Sequence, residues 1–293
     1  MGKQTRATAL LSQMVGSEQD PLLQLSVLDL FTQVFDHQNI PEATREWMGQ
    51  EALITLVVNL LDDPIVSGAG MQYLGLVAKF RDPNILKILF QHIRDIGPTT
   101  NEFERLQIVH TLSNLAQSSP ESLELILRDR ELRKSWWDLS RTSIPKLQAA
   151  ILSSIARNLG APHNTNAPLL LRMYSLIGQD HATDDSTTSW MLQKFVCSPM
   201  PELRIASFTV WISLAQIPGG CSLLATSSRF MDLMVSGERE ASNDARIAKF
   251  ELLKSFHQRS KGFLATGIVK KLDEQLKLGP HGMKSQRWDV ATE

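Results

Sequence analysis

Apolar residues recur along this chain at three- and four-residue intervals, in paired runs separated by breaks rich in Gly, Pro, Ser or Asp. That spacing predicts amphipathic helices joined by short turns. Within one run, Leu203, Ala206, Val210 and Leu214 form a stripe, Phe208, Ile212 and Ala215 form a second, and Trp211 lies between them. A helix with two apolar stripes must be covered on two sides, as happens where it meets both its hairpin partner and the neighbouring repeats. The same run opens on Arg204-Ile205-Ala206-Ser207-Phe208, which returns as Arg246-Ile247-Ala248-Lys249-Phe250, 42 residues later. A period in that range predicts stacked helical hairpins.

Taken in order, the pattern defines successive units. Asp20-Pro21 opens one with an N-cap acid and a proline at the first helical position. Leu25, Leu28, Phe31, Val34 and Phe35 are its expected buried side, and a second segment runs from Glu42 through Trp47 to residues 53–61. Asp63-Pro64 starts the next unit, with Met71, Leu74, Val77 and Ala78 in its first helix; Ile85, Leu86, Ile88, Leu89 and Ile93 follow Asp82-Pro83 in its second. From Asn101, the residues Leu106, Ile108, Val109, Leu112 and Leu115 point inward, Ser119-Pro120 precedes a second helix, and Trp136-Trp137 closes the unit with an extra turn. A fourth unit starts near Ser143, holds Leu147, Ala150, Ile151 and Ile155, stops at Gly160-Ala161-Pro162 and has its second helix at residues 169–177.

Aligned ends of first helices fall at Phe35, Ala78, Ala116, Ala156, Ala215 and His257, at intervals of 43, 38, 40, 59 and 42. The long interval predicts an inserted helix around Trp190, Met191, Leu192 and Phe195, after a polar loop at residues 179–188. No stretch combines alternation with β-branched enrichment and hairpin turns. The expected fold is therefore all-α: a right-handed superhelical solenoid of HEAT/armadillo-like helical repeats. One such solenoid of about six repeats, the first incomplete, is expected over residues 1–278, with a polar, disordered tail at 279–293. Residues 7–15 read as the second helix of a hairpin lacking its first, so the array is expected to begin inside a unit. Its open apolar flank predicts self-association or poor solubility unless something covers it.

Composition narrows the function classes. Of 293 residues, 43% are hydrophobic, which suffices for a core, and 30 basic against 31 acidic residues give no electrostatic case for nucleic acid or an acidic membrane surface. Residues 205–228 carry no charge over a length that would span a bilayer, but Pro218-Gly219-Gly220 interrupts them, so a buried repeat core is the reading. Two cysteines and no secretory leader near Met1 point to a reducing compartment, the cytoplasm or the nucleus. The start Met1-Gly2-Lys3-Gln4-Thr5-Arg6 has Arg where a myristoylation signal needs Ser or Thr.

Candidate chemistry is sparse. There is no phosphate-binding loop, because Ile217-Pro218-Gly219-Gly220-Cys221 lacks the lysine and the preceding strand, and there is no nucleophile elbow. Gly68-Ala69-Gly70 falls inside a helix, where small residues permit close approach. The histidines at 37, 92, 110, 163, 181, 257 and 281 are dispersed, Cys197 and Cys221 have no second pair, and Asp184-Asp185 reads as a solvated loop pair. No catalytic, cofactor-binding or metal-binding residue is expected, and no small-molecule substrate. What remains is surface: Lys87, Gln91 and Arg94 share a face of one second helix, Glu121, Glu124 and Arg128 a face of the next, and Arg229 and Asp232 lie on a later one. In repeat arrays such helices commonly line a groove that receives a partner.

Three stretches carry a family resemblance: residues 20–34, Ser198-Pro199-Met200-Pro201-Glu202-Leu203, and the run Asn243-Asp244-Ala245-Arg246-Ile247-Ala248-Lys249-Phe250-Glu251-Leu252-Leu253-Lys254. With the order of helices between them, they resemble the 26S proteasome non-ATPase regulatory subunit 5 family, over residues 7–277 and the C-terminal part of that family's longer solenoid. The resemblance implies a non-enzymatic assembly chaperone. It would hold the C-terminal domain of a proteasomal ATPase subunit, with a neighbouring ATPase and a large non-ATPase scaffold subunit, until the base of the regulatory particle is built. The tail after Gly279 departs from the family pattern, and no contact residue transfers by a short motif. The alternative is a general armadillo/HEAT-type adaptor or scaffold for transport or complex assembly. Transport receptors space Trp and Asn regularly on inner helices, whereas Trp47, Trp136, Trp137, Trp190, Trp211 and Trp288 form no ladder.

Overall fold

Side-chain caps set many of the helix starts. In a computed structural model, which describes residue 13 and residues 20–36, 42–63, 65–78, 83–96, 101–139, 142–161, 166–181, 186–238 and 240–281, the described residues form sixteen α-helices and no strand. Asp20 Oδ1 accepts the backbone N–H groups of Leu22 and Leu23 at 3.1 Å, opening α1 (Pro21–Asp36). The next segment is split in two, α2 (Glu42–Met48) and α3 (Glu51–Asn59), because Gly49-Gln50 breaks the helix; a single 3₁₀ turn, Leu60–Asp62, follows. Then come α4 (Ser67–Ala78) and α5 (Pro83–Ile96). Asn101 and Glu104 form a reciprocal capping box at the start of α6 (Glu102–Ser118). Ser119 caps α7 (Pro120–Arg128), and Asp129 caps α8 (Arg130–Trp137). The extra turn expected at Trp136-Trp137 is thus a separate helix, because Asp129 supplies a second N-cap.

Two compact units divide the chain, Met1–Asp138 and Leu139–Glu293. In the first, α1, α4 and α6 lie side by side in that order. Phe31 meets Tyr73 with ring centroids 5.7 Å apart and Trp47 edge-on at 5.5 Å. Gly75 lies against Thr111 and Leu115, and Gly68 against the Gln107 side chain, so α4 and α6 run parallel. The helical glycines permit this close approach. Val34 and Ile88, expected in the core, are 36% and 40% exposed.

The second unit holds α9 (Pro145–Leu159), α10 (Ala167–His181), α11 (Thr187–Met191), a π-helical turn at Leu192–Val196, α12 (Pro201–Gln216), α13 (Gly220–Ala225), α14 (Ser228–Val235), α15 (Asn243–Ser260) and α16 (Thr266–Leu278). Helix α12 packs between α9 and α15, which explains its two buried stripes: Leu203, Ala206, Phe208, Val210, Trp211, Leu214 and Ala215 are all buried. Trp211 leads an aromatic chain, edge-on to Phe230 at 5.3 Å, and Phe230 in turn meets Phe256 at 5.2 Å. The second segment of this repeat is two helices, since Ser227 accepts the Phe230 N–H and starts α14 afresh. The inserted element packs back tightly: Thr187 Oγ1 accepts the Gly178 N–H at 3.1 Å and donates to the Tyr174 carbonyl at 2.9 Å. Tyr174 hydroxyl lies 3.0 Å from Thr188 Oγ1 and accepts the Trp211 indole N–H at 2.9 Å. Burial pushes the Tyr174 phenol well above its ordinary range, so it acts here as a neutral hydrogen-bonding bridge.

Residues 7–12, 14 and 15, the loop pair Asp184-Asp185, Trp288 and the tail beyond residue 281 lie outside the described residues, and so do the expectations placed on them.

Candidate functional site

The second-helix residues singled out from sequence divide by environment. Lys87 and Gln91 are exposed on α5, and Arg94, near the end of the same helix, reaches across to Asp129 with Nε and Nη2 3.0 and 2.5 Å from Oδ2. Burial alone would raise the Asp129 carboxyl, but the N–H groups of Leu132 and Glu131 and the Arg94 guanidinium outweigh it and hold the group below its usual range. Gln91 donates to Asp95 at 2.8 Å and accepts from Arg94 at 3.3 Å. On α7, Glu124 and Arg128 pair along the helix at 2.8 Å while Glu121 is exposed. Arg229 and Asp232 are exposed on α14. The structure therefore joins Gln91, Arg94 and Asp129 in one network and leaves Lys87, Glu121, Arg229 and Asp232 facing solvent.

The arginines of the repeated pattern acquire a role that sequence did not reveal. Arg204 Nη1 contacts the carbonyl of Ser198 at 3.4 Å, Arg246 Nε donates to that of Glu240 at 2.7 Å, and Gln148 Nε2 to that of Thr142 at 2.9 Å. In each case a long polar side chain in the first turn of a first helix folds back six residues and ties down the loop leading into it. Arg204 also pairs with the Glu240 carboxylate, whose side chain is only 2% exposed, and Lys249 Nζ lies 3.9 Å from its other oxygen. Lys249 donates to the Glu238 carbonyl at 2.7 Å, and burial pulls its ammonium below the ordinary range, partly offset by Glu240 and Glu238. The signal for this cluster was the matched spacing of Arg204 and Arg246; their common target, Glu240, lies in a loop and has no pattern of its own.

Beside this cluster opens a cavity of about 330 Å³, floored by Leu233, Met234, Phe250, Leu253 and Leu278 and rimmed by Arg246, Lys249, Glu238 and Gln275. Its cations are engaged by carbonyls and by Glu240, so it offers apolar surface with a balanced polar rim. Among the described residues, no three His, Cys, Asp or Glu side chains come together as a metal site. Cys197 is exposed, whereas Cys221 is buried with its thiol 3.5 Å from the Ala215 carbonyl, and burial raises it above the usual thiol range. No described helix is long and apolar enough to cross a membrane.

The helix order and packing are those of an armadillo-type helical repeat. An engineered protein is similar to this chain with a TM-score of 0.55 at 11% identity, covering 86% of this chain and 97% of its own. Two designed armadillo repeat proteins, one of them in complex with the peptide (KR)4, have TM-scores of 0.52 and 0.55 at 14% identity, each over 84% of this chain and 99% of their own. Those identities establish the fold alone. Among curated proteins, no sequence matches this chain. The family model described as Proteasome non-ATPase 26S subunit matches residues 3–293, and the chain belongs to that family.

Proposed function

We propose that this chain is a non-enzymatic chaperone of proteasome assembly, which holds the C-terminal domain of proteasomal ATPase subunits while the base of the 26S regulatory particle is built. A large non-ATPase scaffold subunit of the base is its second partner, and the cytoplasm, with the nucleus, is its place of work. The observation that carries the reading is the family match over residues 3–293. Two features agree with it. The exposed Lys87, Glu121, Arg229 and Asp232 lie on helices outside the rows of first helices, where a protein partner can reach them. The polar networks described above tie loops and helices together, as Arg204, Arg246 and Lys249 do around Glu240. We further take residues 1–278 to act as one binding array. A tagged chain used as bait in cell lysate, with mass spectrometry of what it retains, tests the proposal. Proteasomal ATPases are the expected catch; importins or membrane cargo without ATPases would contradict it and favour a general adaptor.

A further inference from the structure

The cavity beside Glu240 belongs wholly to the second unit, and the last described residues form one of its walls. Leu233 and Met234 come from α14, Phe250 and Leu253 from α15, and Leu278 from the final turn of α16. Leu233, Phe250 and Leu278 are only half-buried, so the floor keeps apolar surface that the three helices do not cover for one another. Gln275 reaches from α16 to Gly237, where a Cβ would fall 2.9 Å from its Nε2, and bounds one side.

Beyond Leu278, Gly279 adopts a φ of 67°, a left-handed conformation that glycine takes without strain, and it ends α16. Pro280 follows on the cavity wall, and His281 is the last described residue. The chain therefore leaves the described structure at the cavity itself, with twelve residues, 282–293, continuing from it.

That tether selects an occupant. Of the large apolar residues in 282–293, Met283 is three positions past Pro280, too near for a four-residue reversal to bring it back, whereas Trp288 is eight positions past it. Eight residues reach at most about 26–29 Å, enough to include a turn, for which Gly282 and Ser285 are suited. An anchor on so short a tether acts at an effective concentration in the millimolar range, so a weak apolar contact suffices. An indole also suits the lining. Its flat apolar body matches a floor of Leu, Met and Phe, and its one N–H meets a rim with acceptors at Ser236, Glu238 and Gln275.

We infer that the cavity is the docking site of this chain's own C-terminal segment, with the Trp288 side chain seated on Leu233, Met234, Phe250, Leu253 and Leu278. Docked there, the segment covers the apolar floor and ties α14, α15 and α16 together. This intramolecular contact does not depend on the function proposed above.

The test uses the full chain with 5-fluorotryptophan in place of all six tryptophans, followed by fluorine NMR. Trp288→Phe removes one signal and so assigns it. In the unaltered chain that signal is expected away from the position of free 5-fluorotryptophan, and Leu233→Ser and Leu278→Glu are each expected to return it there. The other five signals are expected to stay in place, which shows that both variants fold. Leu233 is 55 residues from Trp288 in sequence, so an effect of its replacement reports contact through space. A Trp288 signal at the free position in the unaltered chain overturns the inference, as does a signal that neither variant moves. So does a displaced signal that returns to the free position on dilution, since the segment would then occupy a second copy.

Discussion

Glu240 is the most deeply committed carboxylate among the described residues, with Arg204 paired to it, Lys249 beside it and Arg246 on its own carbonyl. Replacing it by Gln leaves Arg204 and Lys249 without their counter-charge in a largely dry site. We expect Glu240→Gln to cost about 3 kcal/mol in urea denaturation, the scale for breaking a buried pair from one side. Asp129 offers a milder, pH-dependent case. Its folded-state pKa is lowered, so its stabilisation is present above the unfolded carboxyl value and is lost as pH falls through the folded one. Asp129→Asn keeps an N-cap but loses the charge facing Arg94. With both side chains partly exposed, the loss is about 1 kcal/mol at pH 7, and the gap to the unaltered chain is expected to close as the pH drops below about 4. At this scale sequence reading was partial. The spacing of Arg204 and Arg246 was visible, but Glu240 and Asp129 are chosen by folding distance, which no local pattern encodes.

Among the elements, the close approaches are the sensitive points. A Cβ on Gly178 would fall 2.8 Å from the Thr187 Cα and 2.9 Å from its backbone nitrogen, in the seam where α10 meets α11. Backbone cannot move aside there as a flexible side chain could. Gly178→Ala is therefore expected to lower stability by about 1–3 kcal/mol, the cost of overpacking. Gly267, in the first turn of α16, has nothing within 4 Å, so Gly267→Ala should be neutral or stabilise by up to about 1 kcal/mol. Paired thermal melts that moved the two variants the same way would contradict the packing described. Element order was legible, because the first helices are long and apolar and most open on an Asp, Asn or Ser cap or on a Pro in the first turn. The splitting of second segments was not: α2 and α3, or α13 and α14, span only about two turns each, too few to show a stripe, and one Ser or Gly decides where they part.

For the molecule as a whole, the all-helical repeat class followed from periodicity, while function came from a likeness of sequence that the family match now supports at the level of a proteasome non-ATPase subunit. Periodicity alone could not supply a partner. The stripes that make a repeat stack face inward, and the outward residues that choose a partner follow no period. The central claim is a direct grip on an ATPase subunit, so the deciding measurement uses two purified proteins. Isothermal titration of this chain with an isolated C-terminal domain of a proteasomal ATPase is expected to give saturable binding. Lys87→Glu and Arg229→Glu together should weaken it while leaving the melting temperature unchanged. Absence of heat and of a complex in sedimentation, with every proteasomal ATPase domain tried, would contradict the account.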